Sequence, residues 1–244
     1  MVLHAFVGRV HGRQEVAKSP RIRLASNSQE HAGRRTNAPG SEGTAQVNKQ
    51  LGKRLKRISK RILGPNLDRV VLEKETRLLI EKLDVASLSV LEISGQRWRK
   101  FGFRSYRSVE YPEFDITADL VLSETFDLVI AEQVFEHVAY PYRAGKNVYQ
   151  LLNAGGYFLI STPFLQKVHN FPIDCCRWTE TGMKYFLSEC GFEPQQIETG
   201  SWGNRHAARA NLRFRESFPR RNLFFGSWKN DPTFPVQVWA LARK

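Results

Sequence analysis

The stretch from Thr125 to Phe164 constrains the fold more than any other part of this 244-residue chain. It predicts a strand, a helix and a second strand in succession. Phe126–Ile130 is a short apolar run of the kind found in strands buried on both faces of a sheet. Pro141 suits the first turn of a helix, Gly155-Gly156 is typical of a helix end, and Tyr157–Ser161 is the next strand. Such a βαβ unit places ligands beyond the carboxyl ends of its strands.

A mostly polar segment follows the first strand of this unit. Ala131, Glu132 and Gln133 come at its end, and Glu136 and His137 lie one short turn further on. Because the carboxyl ends of parallel strands meet at one edge of the sheet, we expect these residues to line a ligand site there.

The rest of the chain alternates between short apolar runs and segments with helical periodicity. This alternation predicts an α/β fold with an open, mostly parallel sheet and helices on both faces. In chain order we expect a helix at Leu67–Leu83, strands at Ser87–Ile93, Arg104–Val109 and Phe114–Ile116, a helix at Gly182–Cys190, and strands at Gln195–Glu198 and Pro235–Ala240.

Positive charge is concentrated at the beginning of the chain. The net charge is +13, and residues 1–64 contain 14 Lys and Arg against three acidic residues. Residues 1–46 have too little apolar surface to offset chain entropy, so we predict a disordered basic leader there. Residues 67–244, the predicted main domain, are close to neutral. Nucleic acid is therefore not an expected partner of the main domain.

Residues 47–66 are predicted to form a basic amphipathic helix and a linker. Leu51, Leu55, Ile58 and Ile62 recur at helical spacing within residues 49–63, and Lys and Arg fill most of the other positions. Such a helix could lie on an anionic membrane surface or contact RNA. A solvated basic helix that caps the domain explains the pattern equally well.

The chain carries no sequence signal for secretion or for a membrane span. Its apolar runs fall well short of the ~20 residues that cross a bilayer. Cys175, Cys176 and Cys190 show no metal-ligand spacing, and adjacent cysteines rarely pair, so we expect reduced thiols. These features predict a cytoplasmic protein, with peripheral attachment at the inner face of the membrane if the basic helix binds lipid.

The central stretch FDLVIAEQVFEHV, with LLNAGGYFLISTPF and ECGF after it, resembles the motifs of class I S-adenosylmethionine-dependent methyltransferases. The later segments TPFLQKVHNFPIDCCRWTETG, SWGNR and DPTFPVQVWALAR resemble one bacterial subgroup that is often found with glycan-biosynthesis genes. The resemblance spans residues 68–243. It implies a Rossmann-like fold with a seven-stranded sheet and S-adenosyl-L-methionine as the cofactor.

The turn after the first strand departs from the family pattern. Family members carry a glycine-rich turn there, which lets the backbone approach the methionine part of the cofactor. In this chain the segment reads Ser94-Gly95-Gln96-Arg97-Trp98, with a single glycine. The resemblance assigns Glu92, Ser94 and Gly95 to the cofactor, together with the Ala131–Gln133 turn, and leaves the tightness of binding open.

Acidic and aromatic residues after the second strand are expected at the adenosine half of the cofactor. Glu110 follows Glu92 by 18 residues, close to the ~20-residue spacing at which a carboxylate meets ribose hydroxyls. By the same resemblance, Tyr111 would pack on the adenine and Asp119 would face its amino group. A surface residue at a strand end is the alternative interpretation of Glu110.

A histidine is the expected base for transfer to a hydroxyl group. Histidine has a usual pKa of ~6.5, which suits proton removal near neutrality. We predict His169 as the catalytic base because its loop should face the acceptor. His137 is a candidate for acceptor binding, and a backbone-bonded residue at the start of a helix is its alternative.

Three more residues of the His169 loop are predicted to bind the acceptor. Asp174 and Arg177 lie three positions apart and could pair, which would fix Arg177 for an anionic or hydroxylated group. Trp178 follows them directly. In the alternative interpretation the ion pair only staples the loop, and Trp178 is its apolar anchor.

Glu132, Glu136 and His137 resemble a metal cluster of some quinone-biosynthesis methyltransferases. Carboxylate and imidazole groups are plausible ligands. Three residues from one local segment make a weak site, however, and we predict no metal.

Taken together, the patterns and the resemblance predict a methyltransferase that uses S-adenosylmethionine and methylates a small molecule or glycan intermediate at oxygen. A catalytically inactive binding or scaffold protein that kept the fold is the first alternative. An RNA methyltransferase recruited by the basic leader is the second. The main domain lacks an Asn-Pro-Pro-Tyr-type or paired-Cys catalytic motif, which disfavours the RNA substrate.

Overall fold

The computed structural model describes residues 67–119, 122–169, 172–213 and 228–244. The predicted leader (1–46) and the basic helix and linker (47–66) lie outside these residues, so their attachment to an anionic membrane surface stays a prediction. Within the described residues, no helix is both long enough and apolar enough to cross a membrane.

Four α-helices and six β-strands make up the described part of the domain. In chain order they are α1 (Leu67–Glu81), β1 (Ser89–Ile93), β2 (Ser105–Val109), β3 (Phe126–Glu132), α2 (Pro141–Leu151), β4 (Leu152–Pro163), α3 (Glu180–Glu189), β5 (Ile197–Gly203), α4 (Arg205–Arg213) and β6 (Pro235–Arg243). Short 3₁₀ helices occupy Val85–Ser87, Phe135–His137 and Pro194–Gln196.

The six strands form one sheet with the order β2-β1-β3-β4-β6-β5. Strands β1, β2, β3 and β4 pair in parallel. Strand β6 runs antiparallel to both of its neighbours, β4 and β5. This arrangement confirms the predicted α/β fold with an open, mostly parallel sheet.

The described residues contain six strands rather than the seven that the family resemblance implies. Residues 114–116, predicted as a short strand, belong to a turn in which the N–H of Ala118 donates to the carbonyl of Asp115 at 3.1 Å. The Asp115 side chain accepts from the backbone N and hydroxyl of Thr117 at 2.8 and 2.7 Å. Such local bonds from Asp compete with strand pairing and favour a turn.

Helix α2 ends earlier than Gly155-Gly156, the position predicted from the sequence. The helix ends at Leu151 and β4 begins at the next residue, so both glycines lie within the strand. Gly155 has a φ of +77°, and its N–H donates to the carbonyl of Lys244 at 3.0 Å. The glycine pair therefore shapes the start of β4 beside the residue that follows β6.

Helices cover both faces of the sheet, and the strands alternate their side chains between two apolar clusters. In β3, Val129 and Ala131 belong to one cluster, and Leu128 and Ile130 belong to the other. The first cluster includes Ala144, Val148 and Leu151 of α2 and Met183, Phe186 and Leu187 of α3. The second includes Leu72, Leu79 and Ile80 of α1 and Ala207 and Ala208 of α4.

The connection from β1 to β2, residues 94–104, contains no helix. It is shorter than the dozen or more residues that usually link parallel strands. Aromatic side chains cover this part of the sheet instead: Trp98 is buried, and its ring meets the Phe101 ring edge-on at 4.9 Å. The Phe103 ring continues the row, 5.4 Å from Phe101.

Trp98 should therefore carry much of the stability that a crossover helix would supply elsewhere. We expect Trp98→Ala to lower the free energy of unfolding by about 3–5 kcal/mol, the usual loss for a buried aromatic side chain. Trp228→Ala is the control, because that side chain is 48% exposed and should change stability far less. Urea denaturation followed by circular dichroism measures both variants, and equal losses would contradict the role given to Trp98.

Candidate active site

The chain reverses direction across the sheet between β1 and β3. From β1 it passes to β2 on one side and then to β3 on the other. In open α/β sheets, ligands bind in the crevice beyond the carboxyl ends of the strands at such a point. Ser94 and Gly95 follow β1 at this crevice, Glu132 ends β3, and Gln133 follows it.

The carboxylate of Glu92, buried at the end of β1, holds the following loop in place. Its two oxygens accept the backbone N–H groups of Arg97 and Trp98 at 3.0 and 3.1 Å. The Tyr106 hydroxyl donates to the same carboxylate at 2.5 Å. Burial, together with the bond to Glu92, raises the pKa of Tyr106, so the phenol stays a neutral donor.

Gly95 is required because the Glu92 carboxylate lies directly beneath the loop. A Cβ at residue 95 would stand 2.6 Å from Oε1 of Glu92, well inside van der Waals contact. Ser94 is exposed and has a φ of +58°, a conformation that is uncommon outside glycine. Its N–H donates to the carbonyl of Val109 at 2.8 Å. One glycine and one left-handed serine thus build this tight turn.

Glu132, predicted to contact the cofactor, is occupied by protein donors instead. Oε2 accepts from the Trp98 indole N–H at 2.9 Å and from Arg97 Nη1 at 3.0 Å, and Oε1 accepts from the Thr76 hydroxyl at 3.0 Å. Burial raises the pKa of Glu132, although the positive charge of Arg97 opposes the effect. Like Glu92, this carboxylate supports the loop from beneath and presents no free oxygen pair to a ligand.

The residues predicted for the adenosine half lie open at the end of β2. Glu110 and Asp119 are exposed, and Tyr111 is 73% exposed. On the β3 side, Ala131 is fully buried, so its side chain faces the core. Gln133 has a φ of +57° and donates from its amide to Gln237 at 3.0 Å.

A series of hydrogen-bonded, buried polar side chains beyond Gln133 was not predicted from the sequence. The Gln237 side chain donates to Asp68 at 3.1 Å, and both residues are buried. Gln237 is a polar residue in the middle of the apolar strand PVQVWALAR. That interruption is the signal by which sequence analysis could have found it, because buried polar side chains need partners.

The 3₁₀ helix after β3 meets the loop after β4. The His137 and His169 rings stand edge-on with their centroids 5.0 Å apart. Nδ1 of His137 is hydrogen-bonded to the backbone carbonyl of Ile173. The Cys175 N–H donates to the Glu136 carbonyl at 2.7 Å, which ties the loop to the helix.

Asp174 organises the His169 loop. It accepts two 2.6 Å hydrogen bonds from the Arg177 guanidinium and a 2.9 Å bond from the His169 backbone N–H. Its Oδ2 also lies 3.2 Å from Nδ1 of His169. Burial alone would raise the pKa of Asp174, but the His169 N–H and the Arg177 guanidinium lower it. The loop therefore holds an ionised aspartate beside the imidazole.

His169 and Glu136 differ in their surroundings. Burial lowers the pKa of His169, and this effect outweighs the nearby Asp174 charge, so the neutral imidazole prevails at pH 7. Glu136 is buried, and its Oε2 has no hydrogen-bond partner among the described residues. Burial raises the pKa of Glu136 to about 7.

Trp178, predicted to bind the acceptor, lies in the apolar core. It is 9% exposed, and its ring packs against Phe186 of α3 at 4.9 Å. The indole thus anchors the end of the loop. The reason is local: Thr179 caps α3 by accepting from the Gly182 N–H, which turns Trp178 towards the helix.

The support that Glu92 gives to the loop can be measured as stability. We expect Glu92→Gln to lower the free energy of unfolding by about 1–3 kcal/mol, because the amide leaves at least one loop N–H without an acceptor. Glu198→Gln is the control, since Glu198 forms an exposed ion pair with Lys82 and such pairs contribute under ~1 kcal/mol. Urea denaturation compares the two, and a Glu92→Gln loss no larger than the control would show that the loop is held by other contacts.

Residues 82–160 match the sequence model of the methyltransferase domain family. A search of curated proteins finds no match. Among solved structures, the chain is similar to an S-adenosylmethionine-dependent methyltransferase from Archaeoglobus fulgidus, at 12% identity over 78% of this chain and 99% of that one, with a TM-score of 0.48. It is also similar to N-methyltransferase NodS from Bradyrhizobium japonicum in complex with S-adenosyl-L-homocysteine, at 15% identity over 70% and 86%, with a TM-score of 0.43.

The matched segment runs from the end of α1 through β3 and α2 into β4, and so includes the crevice at which the strand order reverses. It contains the Glu92-supported turn and the Gln133 turn that flank this crevice. Residues 82–160 are therefore similar to the methyltransferase domain family, and they include the loops that flank this crevice.

Proposed function

We propose that the protein transfers a methyl group from S-adenosylmethionine to an oxygen of a small molecule or glycan intermediate. The proposal that the methyl group goes to an oxygen atom rests on the His169–Asp174 pair beside the crevice. A hydroxyl acceptor must lose its proton, and an oriented neutral imidazole is suited to take it. The glycan part of the proposal comes from the sequence resemblance to the bacterial subgroup.

The side chains at the carboxyl ends of β1 and β2 fit the cofactor. Glu110 is exposed and can accept two ribose hydroxyls, and the exposed Tyr111 ring can cover the adenine. The Ser94-Gly95 turn leaves its backbone open, because the glycine has no side chain and the serine side chain is exposed. S-adenosylmethionine supplies an electrophilic methyl group, so the protein has mainly to align and deprotonate the acceptor.

His169 is the proposed base and Asp174 its positioning residue. The ionised Asp174 can only accept a hydrogen bond and lies 3.2 Å from Nδ1 of His169, closer than the Arg177 Nη2 donor at 3.4 Å, so it favours the tautomer with its proton on Nδ1. Nε2 then bears the lone pair that receives the hydroxyl proton. Arg177 holds Asp174 through two 2.6 Å bonds, which keeps the aspartate ionised and in place while the imidazole becomes charged.

Glu110 provides a test of the cofactor site. We expect Glu110→Ala to weaken S-adenosylmethionine binding at least about tenfold, since a charged hydrogen bond is worth roughly 1.5–3 kcal/mol. Glu113→Ala is a matched control, because Glu113 is also exposed and lies three residues away. Calorimetric titration with S-adenosylmethionine and S-adenosylhomocysteine measures both. An unchanged dissociation constant would remove Glu110 from the site, and no binding by the wild type would favour a scaffold protein.

His169 provides a test of the chemistry. We expect His169→Ala to slow methyl transfer by about 10²–10⁴-fold, the usual contribution of a general base. Melting temperature and cofactor affinity should stay nearly unchanged, because the bond from the residue 169 backbone N–H to Asp174 does not need the imidazole.

The measurement is S-adenosylhomocysteine release with an acceptor selected from hydroxylated small molecules and glycan intermediates. His206→Ala, in α4, is the control variant and should keep the wild-type rate. If His169→Ala loses activity only in proportion to a fall in melting temperature, the loop has a structural role. The catalytic base is then a different residue.

A further inference from the structure

Glu136, His137 and His169 come together although they belong to two different loops. Each offers one ligand atom, and the three atoms all lie within 4.8 Å of one another. His137 Nε2 stands 3.7 Å from Glu136 Oε1. The trio differs from the one that the sequence suggested, because both Glu132 oxygens accept bonds from Trp98, Arg97 and Thr76.

Both imidazoles have an acceptor oxygen beside Nδ1, which favours the tautomer that frees Nε2. The Ile173 carbonyl can only accept, so Nδ1 of His137 carries the proton there. Nδ1 of His169 lies 3.2 Å from the ionised Asp174, which favours a proton on that nitrogen, and 3.4 Å from Nη2 of Arg177. Metal-binding histidines are typically fixed in this way, by a carbonyl or carboxylate on the nitrogen that does not bind the ion.

The third group, Glu136, is a buried carboxylate without sufficient donors. Its side chain is 1% exposed, and Oε2 has no hydrogen-bond partner among the described residues. A buried carboxylate in this state is costly unless a cation or a proton compensates it. The Arg177 guanidinium does not fill this role, because both of its contacts to a carboxylate go to Asp174.

We propose that Glu136, His137 and His169 bind one divalent transition-metal ion, such as Zn²⁺. Two imidazole nitrogens and one carboxylate oxygen suit Zn²⁺ and Co²⁺, whereas Mg²⁺ and Ca²⁺ prefer oxygen ligands alone. Ligand distances of ~2.0–2.2 Å place neighbouring ligands of a tetrahedral ion roughly 3.4 Å apart. The Glu136–His137 separation is already close to this value, and His169, with a side chain 33% exposed on a loop, can make the remaining movement.

The metal site connects to the proposed reaction through Nε2 of His169. An ion there would occupy the lone pair that a base uses, so metal binding and proton removal by His169 exclude each other. This consequence rests on the proposed function, whereas the metal site itself does not. Full activity of the Zn²⁺-loaded protein would therefore argue against His169 as the base and leave the metal site standing.

Co²⁺ titration of the untagged full chain, followed by visible absorption, tests the site. We expect one Co²⁺ per chain in the spectroscopically visible site, displaced by Zn²⁺ and not by Mg²⁺. His169→Ala and His137→Ala should each weaken binding more than about tenfold. Glu136→Gln, which keeps the side-chain volume, should also weaken it, and His206→Ala is the control that should bind as the wild type does.

Histidines elsewhere in the chain, such as His4 and His11, could also hold Co²⁺. Equal affinity in the wild type, His137→Ala and His169→Ala would assign the ion to them and overturn the proposal. Absence of a Co²⁺ spectrum in the wild type, or displacement by Mg²⁺ as readily as by Zn²⁺, would overturn it as well. Melting curves of the metal-free variants show whether each is folded, so that a loss of binding is not a loss of structure.

Discussion

The buried carboxylate of Glu92 is the interaction on which the cofactor side of the domain depends. It accepts the two loop N–H groups that follow β1 and the Tyr106 hydroxyl of the neighbouring strand. These bonds bring the short crossover back onto the sheet and leave room for no side chain at Gly95. Because the loop is fixed from below, Ser94 can keep a left-handed conformation without a run of glycines.

The strand pattern could be predicted from the sequence more completely than the site. Buried parallel strands read as continuous apolar runs, so the order of strands and helices around β3 and β4 followed from Phe126–Ile130 and Tyr157–Ser161. Local polar bonds were harder to foresee: Asp115 makes a turn where a strand was expected. The glycine pair at 155–156 was wrong as a helix end, because the partner that needs it lies at Lys244, far along the chain.

Long-range contacts also decided the roles of aromatic residues. Trp98 lies in the turn that is glycine-rich in the family that the sequence resembles. From the sequence alone, this turn indicated only a departure from the family's cofactor-binding pattern. In the fold its indole fills the sheet face left open by the missing crossover helix and donates to Glu132. Trp178 likewise packs against Phe186 rather than facing the crevice. The sequence around a tryptophan in a polar loop does not show whether its ring contacts a ligand or packs in the core.

The carboxylates near the carboxyl ends of the strands have different roles. The hydrogen-bond donors around each carboxylate indicate which role it has. Glu92, Glu132 and Asp174 each accept several protein hydrogen bonds and therefore position loops and side chains. Glu110 is exposed, so water can satisfy it without protein donors. Glu136 is buried yet lacks a donor on Oε2 among the described residues. Since burial without a partner is unfavourable, this carboxylate requires a proton or a cation, and the proposed metal ion between the two imidazoles would supply the cation.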